Sequence, residues 1–247
     1  MKIQIKNNET VTPFLRGKIQ IIQSKEGYRF NIDSILLASF VKITDKPSKL
    51  VDLGTGSGIV LVLLGLKYKK INLYGVELQE SLFSQAWRNI QLNSLKAQLF
   101  KGDIREIRRI FRSESFDYVV FNPPYHYPPP QVERTEKNIA RFEIEGKIKD
   151  FVKASSYLLK NGGKLFTIVP TSRFSEVIDF LVQKKLQPKR YRAVHPTINE
   201  NASHVLIEAA KGGKTGGETF EKPLIVYEDS YKKKYTPEVE FLLENFC

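Results

Sequence analysis

Cysteine and histidine are scarce in this sequence of 247 residues. Its one cysteine, Cys247, is the last residue, and its three histidines are scattered at His126, His195 and His204. A single cysteine excludes a disulfide framework and a thiolate metal cluster, and the scattered histidines do not form a metal-ligand pattern. We therefore expect no bound metal.

Long apolar runs are also lacking. The longest, IVLVLLGL from Ile59 to Leu66, is far shorter than the roughly 20 residues that a membrane-spanning helix needs. The first ten residues, MKIQIKNNET, have no apolar core of the kind found in signal peptides. These features predict a soluble, cytoplasmic protein without a membrane partner.

Positive charge, in contrast, is present in excess. Lysine and arginine total 39 against 27 acidic residues, which gives a formal net charge of +12 and a pI near 9.6. This balance favours a polyanionic partner, and nucleic acid is favoured over a membrane surface because the chain has no amphipathic anchor. Each of its two basic clusters could instead be a solvated face. They comprise Arg105, Arg108, Arg109 and Arg112, and Lys184, Lys185, Lys189, Arg190 and Arg192.

From Lys49 onward, short β-rich runs alternate with amphipathic helices. The predicted strands cover 49–54, 71–78, 97–103, 115–122, 164–170, 188–196 and 203–210. Predicted helices cover 57–69, 79–94, 104–111 and 172–185, and another starts at Gly146. That helix carries Leu159 on its apolar face and ends at Asn161-Gly162-Gly163. The alternation predicts an α/β fold whose mostly parallel sheet has helices on both faces.

The alternating region has a segment on either side. Residues 1–48 are predicted to be a small N-terminal extension, with short strands at 3–6 and 18–23 and a helix at 33–41. Residues 49–210 form the predicted core. Residues 211–247 are predicted to be a tail that packs on the core and contains a short helix at 237–246.

The first strand of the core ends in VDLGTGSG, in which Gly54, Gly56 and Gly58 permit a tight turn against a ligand. A dinucleotide-binding loop has the spacing Gly-x-Gly-x-x-Gly, and an acid such as Asp52 would repel its pyrophosphate. Asp52 suits a ligand that carries an ammonium group and no phosphate. S-adenosylmethionine has both properties, so we predict it as the cofactor.

Two further acids follow the next two strands. Glu77, 25 positions after Asp52, stands where a carboxylate can accept hydrogen bonds from both hydroxyls of a ribose. Asp103 follows the third strand, where an adenine amino group would lie. Each acid alone could be an ordinary turn, cap or solvated residue, but acids at three successive strand ends form a much more specific pattern.

The fourth strand ends in the tetrad Asn122-Pro-Pro-Tyr125. Prolines fix φ and lack an N–H group, so this tetrad is stiff and extended. It resembles the motif (N/D/S)-P-P-(Y/F/W) of the class I methyltransferases that methylate amino groups. The resemblance implies a Rossmann-like fold with a seven-stranded, mostly parallel sheet. It also implies a catalytic role for Asn122, Pro123, Pro124 and Tyr125.

The same resemblance implies the chemistry. The side-chain oxygen of Asn122 and the carbonyl of Pro123 would accept the two N–H bonds of an amine, which turns its lone pair toward the methyl group. Tyr125 would stack on the planar substrate. Because a sulfonium is already an activated leaving group, orientation and electrostatics carry most of the catalysis and no separate base is required.

Other stretches resemble the bacterial tRNA1(Val) (adenine(37)-N6)-methyltransferases over nearly the whole chain. They are GYRFNIDSILLASFV, ARFE, LLKNGGKLFTIVPTSRFSEV, PKRYRAVHPTINENASHVLIEAAKGG and PLIVYEDSYKKKYTPEVEFLL. This resemblance implies N6-methylation of the adenosine beside the anticodon of a valine tRNA. Relatives often have histidine where this chain has Phe142, a change that leaves Arg141 available to bind phosphate.

The predicted site residues fall into two further groups. The cofactor-binding residues are Arg29, Asp33, Asp52, Gly54, Thr55, Gly56, Gly58, Glu77, Leu78, Gly102, Asp103, Ile104 and Asn122. Of these, Asp33 belongs by the resemblance to a helix that borders the methionine end of the cofactor. The predicted RNA contacts are Arg105, Arg108, Arg141, Lys189, Arg190 and Arg192.

The sequence alone leaves other functions open. The same tetrad serves methyltransferases that act on N2 of guanine in rRNA or on a glutamine of a protein. The chain could also be a catalytically idle RNA-binding module that kept the fold, although its intact tetrad disfavours this. A nicotinamide-dependent dehydrogenase is disfavoured by the spacing of the glycines.

Overall fold

The structure, a computed structural model, describes residues 3–27, 29–124, 135–141, 147–229, 231 and 234–246. The strands are β1 (Glu9–Phe14), β2 (Ile19–Ser24), β3 (Ser48–Leu53), β4 (Ile71–Glu77), β5 (Ala97–Lys101), β6 (Phe116–Phe121), β7 (Leu159–Pro170), β8 (Leu186–His195), β9 (His204–Lys211), β10 (Thr219–Phe220) and β11 (Leu224–Ile225). The α-helices are α1 (Ile32–Phe40), α2 (Ile59–Lys67), α3 (Glu80–Leu92), α4 (Glu136–Arg141), α5 (Ile148–Leu158), α6 (Phe174–Gln183) and α7 (Pro237–Glu244). A 3-10 helix covers Ile104–Arg109 and a shorter one Thr171–Arg173.

A β-sheet forms the centre of the molecule. Within the described ranges it has nine strands, in the order β10-β8-β9-β7-β6-β3-β4-β5, and β11 also pairs with β8. Strands β3 to β7 run parallel, whereas β9 is antiparallel to both of its neighbours. The chain moves outward from β3 to β5 and then returns to the other side of β3 as β6. In α/β sheets, ligands bind at the carboxyl ends of the strands where the order reverses in this way.

Helices cover both faces of this sheet. On one face, α1, α2 and α7 bury residues such as Leu36, Leu61 and Val239. On the other face, α5 and α6 bury residues such as Val152 and Leu181. Helix α2, with the sequence IVLVLLGLK, is buried over almost its whole length, which explains why it is apolar on all sides. None of the helices in the described ranges is long and apolar enough to span a membrane.

The hairpin β1–β2 is attached to α3 by buried polar side chains. Asn89 accepts a hydrogen bond from the Ile22 N–H at 2.7 Å and donates one to the Ile22 carbonyl at 3.0 Å. Arg88 donates to both carboxylate oxygens of Glu9, at 2.5 and 2.6 Å. Burial alone would raise the pKa of Glu9, but the hydrogen bonds from Arg88 and the Lys6 N–H lower it. These contacts hold the hairpin on the helix that follows β4.

The predicted α/β fold with a mostly parallel sheet is confirmed, but three local predictions are wrong. Residues 3–6 do not form a strand; β1 begins at Glu9, where pairing with β2 starts. The helix predicted to reach Asn161 ends at Leu158, because Leu159 already pairs with Phe116 of β6. The described part of the sheet has nine strands instead of seven, since the tail adds the two-residue strands β10 and β11. The division of the chain into extension, core and tail stays a prediction.

Candidate active site

A cavity opens at the carboxyl edge of the sheet, beyond β3, β4 and β6. The empty space inside it, including the open mouth, is about 860 Å³. The cavity brings together ten of the predicted cofactor-binding residues: Asp52, Gly54, Thr55, Gly56, Glu77, Leu78, Gly102, Asp103, Ile104 and Asn122. Groups from several strand ends therefore face one cavity.

The glycine loop makes a tight turn between β3 and α2. Gly54 and Gly58 have φ values of +68° and +83°, which favour glycine. A Cβ atom at Gly54 would lie 3.2 Å from the ring of Phe151, and one at Gly58 would lie 3.2 Å from the backbone of α3. The N–H groups of Gly54 and Thr55 donate to the Val76 carbonyl at 2.9 and 3.0 Å. The loop is thus fixed against β4, and Gly58 supports it by close packing outside the cavity wall.

Asp52 is a buried carboxyl group in the cavity wall, only 2% exposed. The Thr55 hydroxyl donates to its Oδ2 at 2.7 Å. Burial raises the pKa of Asp52 to about 7; the Thr55 hydrogen bond opposes this rise, and the negative charge of Glu77 adds to it. Because an entering cation would favour the charged form, this carboxyl is suited to pair with an ammonium group.

Glu77 ends β4 with its carboxylate held by two backbone donors. The Gly56 N–H donates to Oε2 at 2.8 Å, and the Gln79 N–H donates to Oε1 at 2.9 Å. These bonds fix the orientation of the side chain in the cavity wall. Each oxygen can accept more than one hydrogen bond, so the carboxylate can also receive two adjacent hydroxyls, such as those of a ribose.

Asp103 follows β5 and caps the 3-10 helix. Its Oδ1 accepts a hydrogen bond from the Arg105 N–H at 2.8 Å, and the guanidinium of Arg105 donates to both carboxylate oxygens. Burial alone would raise the pKa of Asp103, but these hydrogen bonds lower it. The residue therefore combines the cap role with a position in the cavity wall, where its charged form can accept a further hydrogen bond from an amino group.

Asn122 follows β6 and also lines the cavity. Its Nδ2 donates to the hydroxyl of Ser34 in α1 at 3.3 Å. This contact turns the other branch of the amide, the oxygen, away from Ser34. Of the following residues, Pro123 is buried and Pro124 lines the cavity, whereas Tyr125 lies outside the described residues.

Besides Gly58, two predicted cofactor-binding residues, Asp33 and Arg29, are not in the cavity wall. Asp33 is buried in the first turn of α1, where Asn31 donates to it at 2.5 Å and His204 Nε2 lies 4.0 Å from Oδ2. Burial raises the pKa of Asp33, although His204 and Asn31 oppose the rise. Arg29 is exposed and donates to the Ser24 carbonyl at 3.0 Å, so the structure does not bring it to the cavity.

The predicted RNA contacts differ in their accessibility. Arg105 is bonded to Asp103 and is about half exposed, and Arg108 is exposed. Arg190 is buried, because its guanidinium donates to Glu208 at 2.8 Å and to Glu221 at 3.1 Å. We therefore leave Arg190 out of the RNA-contacting set.

Two more of these residues are bonded to the tail, and one is not described. Lys189 donates to the carbonyls of Lys214 and Gly216. Arg192 donates to the Lys222 carbonyl at 3.0 Å and is also paired with Glu238 of α7. The side chain of Arg141 lies outside what the structure describes.

Sequence reasoning missed several residues of the cavity wall. They are Ser34, Ser57, Ile59, Val60, Val76, Gln79, Leu82, Ile139 and Phe151. Gln79 could have been found from its place directly after the Glu77-Leu78 strand end. Ser34 and Phe151 carry no local signal, since only the packing of α1 and α5 brings them to the cavity. Among the described residues, no group of three or more His, Cys, Asp or Glu side chains is arranged to hold a metal.

Comparison with known proteins identifies the family. Residues 28–187 match the model of the methyltransferase small domain. The chain belongs to this family. The match includes the glycine loop, all three strand-end acids and the Asn122 tetrad, so the whole predicted centre of the cavity lies in the methyltransferase small domain.

Individual proteins are similar to this member of the methyltransferase small domain family over most of its length. It is 21% identical over 231 residues to the tRNA1(Val) (adenine(37)-N6)-methyltransferase of Flavobacterium psychrophilum, covering 93% of this chain and 96% of that protein. A structure from Agrobacterium tumefaciens, described as a predicted O-methyltransferase, has a TM-score of 0.68 at 23% identity and covers 87% of this chain and 96% of its own. Geranyl diphosphate C-methyltransferase from Streptomyces coelicolor, in complex with S-adenosyl-L-homocysteine, has a TM-score of 0.52 at 14% identity. The match covers 72% of this chain and 74% of that one. The predicted Rossmann-like methyltransferase fold is thereby confirmed.

Proposed function

We propose that the chain uses S-adenosylmethionine to methylate N6 of an adenosine in tRNA, namely the adenosine beside the anticodon of a valine tRNA. The observation that carries this proposal is a cavity in which three acids, Asp52, Glu77 and Asp103, share one space with Asn122. The curated relatives named tRNA1(Val) (adenine(37)-N6)-methyltransferase support the choice of substrate.

The wall of the cavity fits S-adenosylmethionine. Asp52 would pair with the ammonium of its methionine part, Glu77 would accept the ribose hydroxyls, and Asp103 would accept the adenine amino group. The buried hydroxyl of Ser57 has no hydrogen-bond partner among the described residues, and it lies in this wall, where a ligand can supply one. Apolar contacts to the adenine ring would come from Leu78 and Ile104.

Asn122 is the residue that would present the amine. S-adenosylmethionine, when bound, supplies an electrophilic methyl group on a good leaving group. Since Nδ2 of Asn122 donates to Ser34 at 3.3 Å, the side-chain oxygen can accept one N–H of an adenine amino group, and the Pro123 carbonyl can accept the other. Two fixed acceptors direct the nitrogen lone pair without removing a proton first, so the catalytic contribution is orientation.

The charge of the molecule fits a nucleic-acid substrate. A formal net charge of +12 attracts a polyanion. An adenosine in a loop is a suitable target, because an unpaired base can be turned into a cavity at lower cost than a base inside a duplex. A neutral small-molecule substrate would gain nothing from this charge.

Methyl transfer to separate substrate pools tests the proposal. The purified protein is incubated with methyl-labelled S-adenosylmethionine and with tRNA, rRNA or release factor. We expect label in the tRNA pool. Label in rRNA or in release factor alone would contradict the proposed substrate, and retention of a nicotinamide dinucleotide instead of S-adenosylmethionine would contradict the proposed cofactor.

The Asn122→Ala variant is the control for the catalytic site. We expect it to lose at least about a hundredfold in methylation rate, as expected when an acceptor used in the transition state is removed. Its affinity for S-adenosylmethionine should remain, because the three acids are intact. Unchanged activity in this variant would exclude the proposed role of the Asn122 side chain.

A further inference from the structure

A groove adjoins the cavity on the surface of the molecule. It lies between the 3-10 helix Ile104–Arg109 and α5, and its walls include Arg108, Lys153 and Tyr157. Ile104 lines both the groove and the cavity, so the two are neighbours separated by this side chain. We call this feature the Arg108 groove.

Two exposed cations line the Arg108 groove. Arg108 and Lys153 are exposed, and neither is paired with an acidic side chain in the part of the chain that the structure describes. The guanidinium carbon of Arg108 lies 5.0 Å from the centre of the Tyr157 ring, a cation–π contact that holds the group at the wall. The acid of the groove, Asp150, accepts a hydrogen bond from the Lys147 N–H at 3.1 Å and so caps α5.

Two other arginines of the same 3-10 helix are partly neutralised, one of which, Arg105, also lines the groove. Arg105 is bonded to Asp103, and Arg109 is paired with Glu106 at 2.7 Å. Within the 3-10 helix, Arg108 is therefore the cation that remains available for an external anion.

The second basic cluster offers less to a substrate in the cavity. Arg190 is buried, and Lys189 and Arg192 donate to backbone carbonyls of the tail. Lys184 and Lys185 are exposed, but they precede β8 and so lie at the amino edge of the sheet, opposite the cavity. Of the two basic clusters, the one that contains Arg108 therefore lies nearer to the cavity.

We propose that the Arg108 groove holds part of the sugar-phosphate backbone of the tRNA beside the cavity, an inference that rests on the proposed function. Arg108 donates to one phosphate while its plane stays on the ring of Tyr157, and Lys153 neutralises a neighbouring phosphate. A guanidinium that already rests on a ring loses less conformational freedom when it binds than a mobile side chain does.

Charge reversal in the groove tests this inference. In Arg108→Glu/Lys153→Glu, the Kd for tRNA at moderate salt should rise by at least about tenfold, because phosphate contacts dominate affinity. The KM for tRNA should rise similarly, with little change in kcat at saturating tRNA or in the affinity for S-adenosylmethionine. In the milder Arg108→Gln/Lys153→Gln, the tRNA association constant should depend less steeply on salt. The magnitude of the slope of its logarithm against the logarithm of the salt concentration should fall by about 1.5, as expected for two lost phosphate contacts.

A matched variant separates a local effect from an effect of net charge. Lys46→Glu/Lys69→Glu changes the charge equally at two exposed lysines, which precede β3 and β4 at the opposite edge. It should bind tRNA much as the wild-type protein does. An equal loss of tRNA affinity in Arg108→Glu/Lys153→Glu and Lys46→Glu/Lys69→Glu would overturn the inference. A larger loss of tRNA affinity in Lys184→Glu/Lys185→Glu would overturn it as well. If the wild-type protein neither bound nor methylated tRNA, the proposed function itself would be wrong.

Discussion

Asp52 has the most unusual electrostatics of the residues in the cavity. Burial raises its pKa to about 7, so at neutral pH the empty site contains both the neutral and the charged form. An entering ammonium group favours the charged form, whereas a phosphate would be repelled by it. Asp52, which in the sequence disfavours a dinucleotide ligand, therefore also makes the binding of the proposed cofactor depend on pH.

We expect the affinity for S-adenosylmethionine to rise with pH below neutrality. Only the charged carboxylate pairs with an ammonium group, and the pKa of Asp52 is about 7. The affinity should therefore increase about tenfold from pH 5.5 to pH 6.5. Asp52→Asn should bind more weakly at neutral pH and lose this dependence, which isothermal titration calorimetry would measure. Equal slopes in the two proteins would argue against the role of Asp52.

Thermal unfolding of the same two proteins is the control. The folded-state pKa of Asp52 is raised from 3.8 to about 7, so the stability that its neutral form provides is present at low pH and is lost as the pH rises through 7. Asparagine stays neutral throughout. The variant should therefore melt at a higher temperature than the wild-type protein at pH 8, and the difference should shrink at pH 4. Weaker cofactor binding in a more stable protein cannot be attributed to unfolding.

Ser34 is expected to position Asn122. Ser34→Ala removes the acceptor that lies 3.3 Å from Nδ2 and so weakens the positioning of the amide. The kcat should fall about three- to tenfold, the effect of one neutral hydrogen bond, while the KM for S-adenosylmethionine changes little. Ser34→Thr keeps the hydroxyl and should recover most of the rate. A loss of cofactor affinity at unchanged kcat would show instead that Ser34 only supports the cavity wall.

Among the elements of the fold, α3 connects the N-terminal hairpin to the glycine loop. Asn89 of α3 bonds to both backbone groups of Ile22 in β2, and its Nδ2 also donates to the Ser57 carbonyl at 2.8 Å. In the same helix, Arg88 is bonded to Glu9 of β1. Loosening the hairpin is therefore expected to disturb the loop that forms one wall of the cavity.

Removal of one partner of the Arg88–Glu9 pair should destabilise the protein strongly. Both side chains are less than a tenth exposed, so Arg88→Met leaves a buried carboxylate without its partner. We expect a loss of about 3–5 kcal/mol in the free energy of unfolding, measured by urea denaturation. The double variant Arg88→Met/Glu9→Leu should recover most of this loss, because it leaves no buried charge. A double variant as unstable as Arg88→Met would contradict this explanation.

The sequence predicts an element well when the residues of that element themselves carry a pattern, and poorly when the element is defined by pairing with a distant part of the chain. The core strands β3 and β6 are buried on both faces and appear as apolar runs, so they could be predicted. Strand β1, ETVTPF, could not be predicted, because it is mostly polar and is defined by its pairing with β2. The preceding residues, IQIK, show the alternation of apolar and polar residues that is typical of a strand, although they do not form one. Strands β10 and β11 have two residues each, too few for a pattern.

The same distinction applies to the site. Asp52, Glu77 and Asn122 are polar residues at the ends of apolar strands, and therefore stand out in the sequence. Ser34 lies 88 positions from Asn122 and meets it only in the folded chain. Likewise, the sequence does not distinguish Arg190 from a surface arginine, because its partner Glu208 comes from a neighbouring strand.

On the scale of the whole molecule, several of the 39 lysines and arginines make internal contacts, and these contacts leave the formal net charge of +12 unchanged. Some arginines tie strands, helices and the tail together, as Arg88, Arg190 and Arg192 do. Others, such as Arg108 beside the cavity, remain on the surface. Net charge therefore indicates the class of partner, whereas the location of the docking surface follows only from the fold.

Mass spectrometry of nucleosides from treated tRNA tests the central claim most directly. The purified protein is incubated with tRNA and with S-adenosylmethionine that carries a deuterated methyl group, and the tRNA is then digested to nucleosides. Our account predicts N6-methyladenosine with the deuterated methyl group, and its absence when Asn122→Ala replaces the wild-type protein. Deuterated methyl on a different nucleoside, or on none, would contradict it.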